Sequence, residues 1–191
     1  MAIDHAQSVQ VGDGGVFIEM PLQYLPAGNY EWLRVSLAYQ NYDVRFNVFG
    51  STFTGTIASF IGYNTYISSF LVKDSTVTVN DDRPQGFWAF EVNDPPIPTP
   101  VETGQAQGTT VPNPIFATSP IPSGSCVVTG SFAQPLIITG DESEDLVITV
   151  RLSTNKSFEW VETDGDNVFE PINGETVVDM GVRGMIPVVE Q

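Results

Sequence analysis

Residues 31–49 read EWLRVSLAYQNYDVRFNVF, and this stretch contains two runs in which apolar and polar side chains alternate. In Glu31–Tyr39 the apolar side chains occupy every second position from Leu33, and in Asp43–Phe49 they do so from Val44. A period of two places all the apolar side chains of a strand on one face of a sheet. Since the other face is polar, the stretch predicts two half-buried strands of an antiparallel sheet.

The same pattern continues through most of the chain, and helix signals are nearly absent. Asp145–Leu152 alternates as clearly as the first two runs. Seven further strands are predicted, at Gly15–Met20, Phe53–Ile61, Tyr63–Val72, Thr76–Val79, Gly86–Val92, Cys126–Phe132 and Glu175–Met180. Residues typical of turns separate them, at 26–29, 80–84, 164–166 and 173–174. We therefore predict an all-β protein, an antiparallel β-sandwich of the immunoglobulin-like or jelly-roll kind.

A proline-rich stretch at 94–125 interrupts this rhythm. It holds eight of the 14 prolines, and proline lacks the amide donor that a central strand needs. We interpret it as a connection over the surface of a single domain spanning residues 1–191. The alternative is a linker between two small packed β-domains, 1–93 and 126–191.

Charge excludes several classes of partner. The chain has 23 acidic and 7 basic residues, a net charge of −16. Nucleic-acid binding depends on clustered lysine and arginine, so nucleic acid is excluded as a partner. No run approaches the roughly 20 apolar residues of a membrane helix, so we expect no membrane insertion of this chain.

Scarce residues narrow the possible chemistry. With one cysteine, Cys126, the chain has no intrachain disulfide or thiolate metal cluster. The one histidine, His5, lies where chains often fray, and we expect it in solvent. Because nucleophilic serine or cysteine generally needs a histidine base, we expect no such catalysis. The three tryptophans, Trp32, Trp88 and Trp160, are expected to fill the core.

Carboxylates offer the main candidates for a metal site. The sequence EWVETDGDNVFE, residues 159–170, contains Glu162, Asp164, Asp166 and Glu170. Calcium takes six to eight oxygen ligands, which clustered carboxylates and carbonyls supply. The spacing does not match an EF-hand, since Asn167 would stand at the required glycine. A calcium site and a solvated hairpin tip therefore both stay open, and no other cofactor is indicated.

Carboxylates also serve glycoside hydrolysis, which needs two acids across a cleft and no histidine. Predicted strands carry five candidates: Glu19, Glu31, Glu91, Glu159 and Glu175. With so many acids some pairing arises by chance, so a small carboxylate-dependent glycosidase is an alternative only.

Aromatic side chains give a candidate ligand-binding surface. Two stretches place tyrosine beside Asn, Gln or Asp, and they contain Tyr39, Tyr42, Tyr63 and Tyr66. Tyrosine rings stack on sugar faces while amides and carboxylates bind hydroxyls. The same residues are also typical of the core and cross-strand pairs of any sandwich.

Three stretches carry a family resemblance: LPAGNYEWLRVSLAYQNYDV at 25–44, STNKSFEW at 153–160 and GETVVDMGVRGMIP at 174–187. Together with the intervening Asp-Gly-Asp and Glu-Pro, they resemble the ectodomains of uncharacterised surface lipoproteins of Bacteroidetes-type bacteria. The resemblance implies an extracytoplasmic β-sandwich at the cell surface or outer membrane, although the chain begins with no signal peptide.

These observations predict a non-catalytic, extracytoplasmic binding or scaffolding module. Its partner would be a glycan or a protein of the cell envelope, bound through an exposed strand edge or loop. A structural subunit of an oligomeric assembly is the alternative from a different class.

Overall fold

The structure is a computed structural model, and it describes residues 2–92, 101–106 and 126–190. Strands dominate, and the prediction of an all-β, sandwich-like protein with several antiparallel sheets is confirmed. Three short 3-10 helices, His5–Gln7, Leu22–Tyr24 and Pro171–Asn173, accompany the strands. The described strands are β1 (Ile3–Asp4), β2 (Gly28–Leu37), β3 (Tyr39–Val48), β4 (Ser51–Phe60), β5 (Asn64–Leu71), β6 (Thr76–Pro84), β7 (Phe87–Val92), β8 (Glu102–Gln105), β9 (Cys126–Ile138), β10 (Ile148–Leu152), β11 (Phe158–Trp160), β12 (Val177–Met180) and β13 (Met185–Val189).

The central sheet has four strands in the order β3-β4-β7-β8, all antiparallel. Alternation along β4 sends Ala58 and Phe60 to one face and Ile57 to the other. The first face packs on a sheet of order β1-β5-β6, through buried Ile67 and Phe70. The second face packs on the β11–β12 ribbon. Because both faces are covered, β4 is buried at consecutive positions from Gly55 to Phe60 rather than at alternate ones.

Two two-stranded ribbons, β2–β9 and β10–β13, form a further unit that we call the ribbon pair. Buried Phe132, Leu136 and Ile138 of β9 form its core, together with Ile148 of β10. The ribbons approach so closely that a Cβ on Gly130 would lie 2.4 Å from the backbone oxygen of Met185. Glycine at this position is therefore required by the packing of β9 on β13.

Two local predictions are wrong. Gly15–Met20 was expected to be a strand, but it has no strand partner among the described residues and is exposed throughout. Residues 80–84 were expected to form a turn, but they continue β6 to Pro84. Asn80 adopts a positive φ of 53° there, opposite a register shift in β5. The turn-forming residues therefore make a bulge within a hairpin instead of ending the strand.

Two predictions about burial are also wrong. His5 is not in solvent: only 3% of it is exposed, because β1 pairs in parallel with β5 and carries the chain end onto the core. Trp32 lies on the outward face of β2 and is 59% exposed. Trp88 and Trp160 do pack against core residues, as predicted.

Most of the proline-rich stretch, residues 94–100 and 107–125, lies outside the described residues. The described part contains β8, which adds to the edge of the central sheet beside β7. The two flanks of the stretch meet in one ribbon, because β2 pairs with β9 from Leu37↔Cys126 to Gly28↔Ile138. The domain boundaries themselves stay a prediction.

Candidate functional site

The predicted metal ligands lie in one exposed loop, residues 162–170, which we call the acidic loop. Carboxylate oxygens of Glu162, Asp164 and Asp166 lie within 4.8 Å of one another, and all three side chains are exposed. No other group of three or more such ligands is found in the part of the chain that the structure describes. Glu170 is not a member of this triad, and its carboxylate accepts a hydrogen bond from the side-chain amide (Nδ2) of Asn173 instead.

Hydrogen bonds from the backbone close the acidic loop. Glu162 accepts from the amides of Gly165 at 3.1 Å and Asn167 at 3.0 Å, and Asp166 accepts from Val168 at 2.7 Å. Desolvation alone would raise the pKa of Glu162, but hydrogen bonds from the backbone amides of Gly165 and Asp164, together with side-chain hydrogen bonds to Glu175 and Asp164, outweigh it and lower that pKa. The loop therefore holds its turn by hydrogen bonds between its own carboxylates and its own backbone amides.

Asp164 has the opposite electrostatic environment. The amide of Asp166 donates to it, which favours the charged form. Desolvation and the nearby charges of Asp166 and Glu170 outweigh that bond and raise the pKa of Asp164. A divalent cation would relieve this repulsion, yet the triad supplies three carboxylates where calcium takes six to eight oxygens. The fit to calcium is therefore partial.

A buried glutamate fixes the base of the acidic loop. Glu175 is only 3% exposed, and its two oxygens accept from the amides of Thr163 at 3.0 Å and Glu170 at 2.7 Å. It thereby ties together both ends of the loop. Sequence reasoning placed Glu175 on a strand, but it precedes β12, which begins at Val177. No local signal in the sequence distinguishes it from the exposed acids.

The four candidate tyrosines do not form one surface. Tyr39 and Tyr42 lie on opposite faces of the central sheet, packed against different clusters. Their hydroxyls donate to backbone oxygens of Leu71 at 3.0 Å and Ser157 at 2.8 Å, and burial raises the pKa of Tyr42 to about 12. Both rings therefore join the layers of the fold. Tyr63 precedes β5, and Tyr66 is partly exposed on that strand.

The five candidate catalytic glutamates lie in different surroundings. Glu19 is in the exposed segment that was expected to be a strand, while Glu31 and Glu159 lie on β2 and β11. Glu91, only 6% exposed, accepts from three backbone amides of the β5–β6 turn. Like Glu175, it holds a loop in place.

A cavity of about 340 Å³ lies beside β12 and the start of β9. Cys126, Gln85, Asp179 and Arg183 contribute to its lining. Arg183 contacts Asp179 at 2.6 Å, so the one acid in the lining is ion-paired. Burial raises the pKa of the Cys126 thiol, which disfavours the reactive thiolate. This cavity provides neither paired free carboxylates nor an activated nucleophile.

The least expected feature is the segment Val9–Pro21, in which every residue is exposed. Six of its side chains are large and apolar: Val9, Val11, Val16, Phe17, Ile18 and Met20. Monomeric proteins rarely leave apolar side chains so concentrated in water, and such patches mark interaction sites. The sequence signal for this segment is the strand propensity that predicted a strand at Gly15–Met20.

No family model, no curated protein and no solved structure matches this chain. Among the described residues, no helix has both the length and the apolar character that crossing a membrane requires.

Proposed function

We propose that this protein is a non-catalytic binding or scaffolding module of the cell envelope, and that its partner is a protein bound through Val9–Pro21. The observation that carries the proposal is the exposure of six large apolar side chains in this one segment. Burying apolar surface of this kind is the main favourable contribution to protein association.

The backbone of this segment supports a strand-like mode of binding. Val16–Met20 is rich in β-branched and aromatic residues, yet no described strand pairs with it. A peptide that adds to a sheet edge gains affinity from main-chain hydrogen bonds and specificity from alternate side chains. Val16–Met20 offers main-chain hydrogen-bonding groups and alternating side chains of this kind. No described strand of the fold pairs with them.

The acids and tyrosines support the non-catalytic and protein-binding parts of the proposal. Glu91 and Glu175 each accept backbone amides, so their carboxylates are engaged in holding loops. Tyr39 and Tyr42 use their hydroxyls within the fold, which leaves them unsuited to a common sugar platform. A protein partner is therefore favoured over a glycan. The envelope location rests on the resemblance described above.

Photo-crosslinking tests the proposal directly. Benzoylphenylalanine replaces Phe17 in the full chain, and the producing cells are irradiated. We expect discrete adducts of higher mass, because Phe17 would lie against the bound partner. The matched control carries the same group at Phe49, an isolated side chain 91% exposed at the β3–β4 turn.

Adducts at position 17 but not at position 49 support the proposal, and mass spectrometry then identifies the partner. Equal adducts at both positions indicate non-specific contact. The absence of adducts at position 17 contradicts a protein partner at this segment.

A further inference from the structure

The segment Val16–Met20, which we call the donor segment, has the side-chain pattern of a half-buried strand. Val16, Ile18 and Met20 would share one face, while Phe17 and Glu19 would share the other. Val16 is 70% exposed and Ile18 63%, so the first face is uncovered in the monomer. Pro21 follows directly and would end any ladder of hydrogen bonds.

The ribbon pair has an incomplete edge that fits such a strand. Within the described residues, β10 has β13 as its single hydrogen-bonded neighbour. Ile148, Val150 and Leu152 face the core, since they pair with Val189, Pro187 and Met185. Met185 and Pro187 are buried, but Ile148 and Val150 are half-buried and Leu152 is exposed. The described residues therefore leave the outer side of β10 incompletely covered.

Charge makes this edge suitable for an acidic segment. The four strands of the ribbon pair carry two arginines and one glutamate, in a protein whose net charge is −16. The segment Val9–Pro21 carries Asp13 and Glu19 and no basic residue. Arg151 lies on the outward face of β10, which is the face that Glu19 would share if Ile18 faced the core. One alignment of the donor segment on β10 therefore places Ile18 toward the core and Glu19 on the same face as Arg151.

We infer that the partner in the proposed function is a second copy of this chain, whose donor segment adds as a strand to the edge of β10 that no described strand occupies. This inference rests on the proposed function and names its partner. Both complementary surfaces are present on every copy, so no other protein is needed to complete the contact. Strand addition would cover Ile148, Val150 and Leu152 and supply hydrogen-bond partners for the donor amides.

The geometry of the contact determines the kind of assembly. The donor segment of one copy would contact the β10 edge of another copy. Because these are different surfaces of the chain, the contact is heterologous. Two copies that exchange segments would form a closed dimer, whereas successive addition in one direction would form an open chain.

Sedimentation velocity on the full chain over a range of concentrations tests the inference. We expect species larger than a monomer, increasing with concentration. Ile18→Asp should be monomeric because it places a charge in the core-facing position of the donor, and Leu152→Asp should be monomeric because it does so in the acceptor. Both side chains are exposed in the monomer, so the variants should melt near wild type at concentrations low enough for the wild type to be monomeric. Phe49→Asp is the matched control and should assemble as wild type does.

Mixing the two monomeric variants gives the sharpest result. Leu152→Asp retains an intact donor and Ile18→Asp an intact acceptor, so the mixture should form a dimer and nothing larger. Hydrogen exchange should slow at the amides of 16–20 in the assembled protein and stay fast in Ile18→Asp.

A wild-type chain that is monomeric at every concentration overturns the inference, as does assembly that Ile18→Asp leaves intact. Protected donor amides in a monomer would also overturn it, because the segment would then pair within its own chain. If the chain is monomeric but position 17 crosslinks to a different protein, the second-copy inference fails and the proposed function stands. If neither contact is found, both fail.

Discussion

Removing the charge of Glu91 should destabilise the protein in a pH-dependent way. One carboxylate oxygen, Oε2, accepts from the amides of Lys73, Asp74 and Ser75 at 3.1, 3.2 and 3.1 Å. Hydrogen bonds to a charged group contribute about 1.5–3 kcal/mol each, but three donors sharing one oxygen do not add. We therefore expect Glu91→Ala to lower the free energy of unfolding by about 3 kcal/mol. Glu91→Gln keeps an acceptor without the charge, and we expect about half that loss.

The pKa of Glu91 gives the sign of the pH dependence. Burial would raise this pKa, but the amide bonds from the turn outweigh burial and lower it. A lowered folded-state pKa stabilises the fold above the ordinary value of 4.5, and this contribution is lost as the pH falls through the folded value. The difference between wild type and Glu91→Gln should therefore be full at neutral pH and shrink in acid.

Urea unfolding at neutral pH and at several pH values below 4.5 measures both effects. Glu31→Gln, an exposed glutamate on β2, is the matched control and should change stability by less than about 0.5 kcal/mol. Equal stability of Glu91→Gln and wild type at neutral pH would refute the reasoning. A difference that does not vary with pH would show that the loss comes from packing.

Three further outcomes are expected. Burial lowers the pKa of His5, partly offset by Asp4, so the stability of wild type should fall as the pH drops below 6.5. His5→Phe should remove the slope just below pH 6.5 in thermal unfolding, and an unchanged slope would assign it to another group. Gly130→Ala should cost about 1–3 kcal/mol in urea unfolding because of the close approach of β13, whereas Gly28→Ala, in open space, should be near neutral. Equal effects of the two would contradict the tight ribbon packing. Because amides already occupy the acidic loop, millimolar CaCl₂ after EDTA should stabilise the protein by much less than about 2.7 kcal/mol, the value for a site at 100-fold saturation. A shift of that size, abolished by Asp164→Asn, would instead assign a calcium site.

Only part of the candidate site could be predicted from the sequence. Glu162, Asp164 and Asp166 lie within a few residues of one another along the chain, and the Asp-Gly-Asp turn brings their carboxylates together. The buried roles of Glu91 and Glu175 could not be predicted, since their partners are amides of other segments, 5 to 18 residues away along the chain. Tyr39 and Tyr42 lie on the same strand an odd number of positions apart. Because successive side chains of a strand point to opposite faces, the two tyrosines lie on opposite faces of the sheet.

The sequence by itself determined that this protein is built from antiparallel strands and where most of them lie. Alternation in Glu31–Tyr39 and Asp43–Phe49 is a local property, and it specifies a strand and its buried face without knowledge of the partner. Only the tertiary structure decided which strands pair. β2 joins β9 although about 90 residues separate them, and His5 is buried because β1 reaches β5. Strand propensity cannot supply a partner, so Gly15–Met20 is exposed although its sequence resembles that of the paired strands.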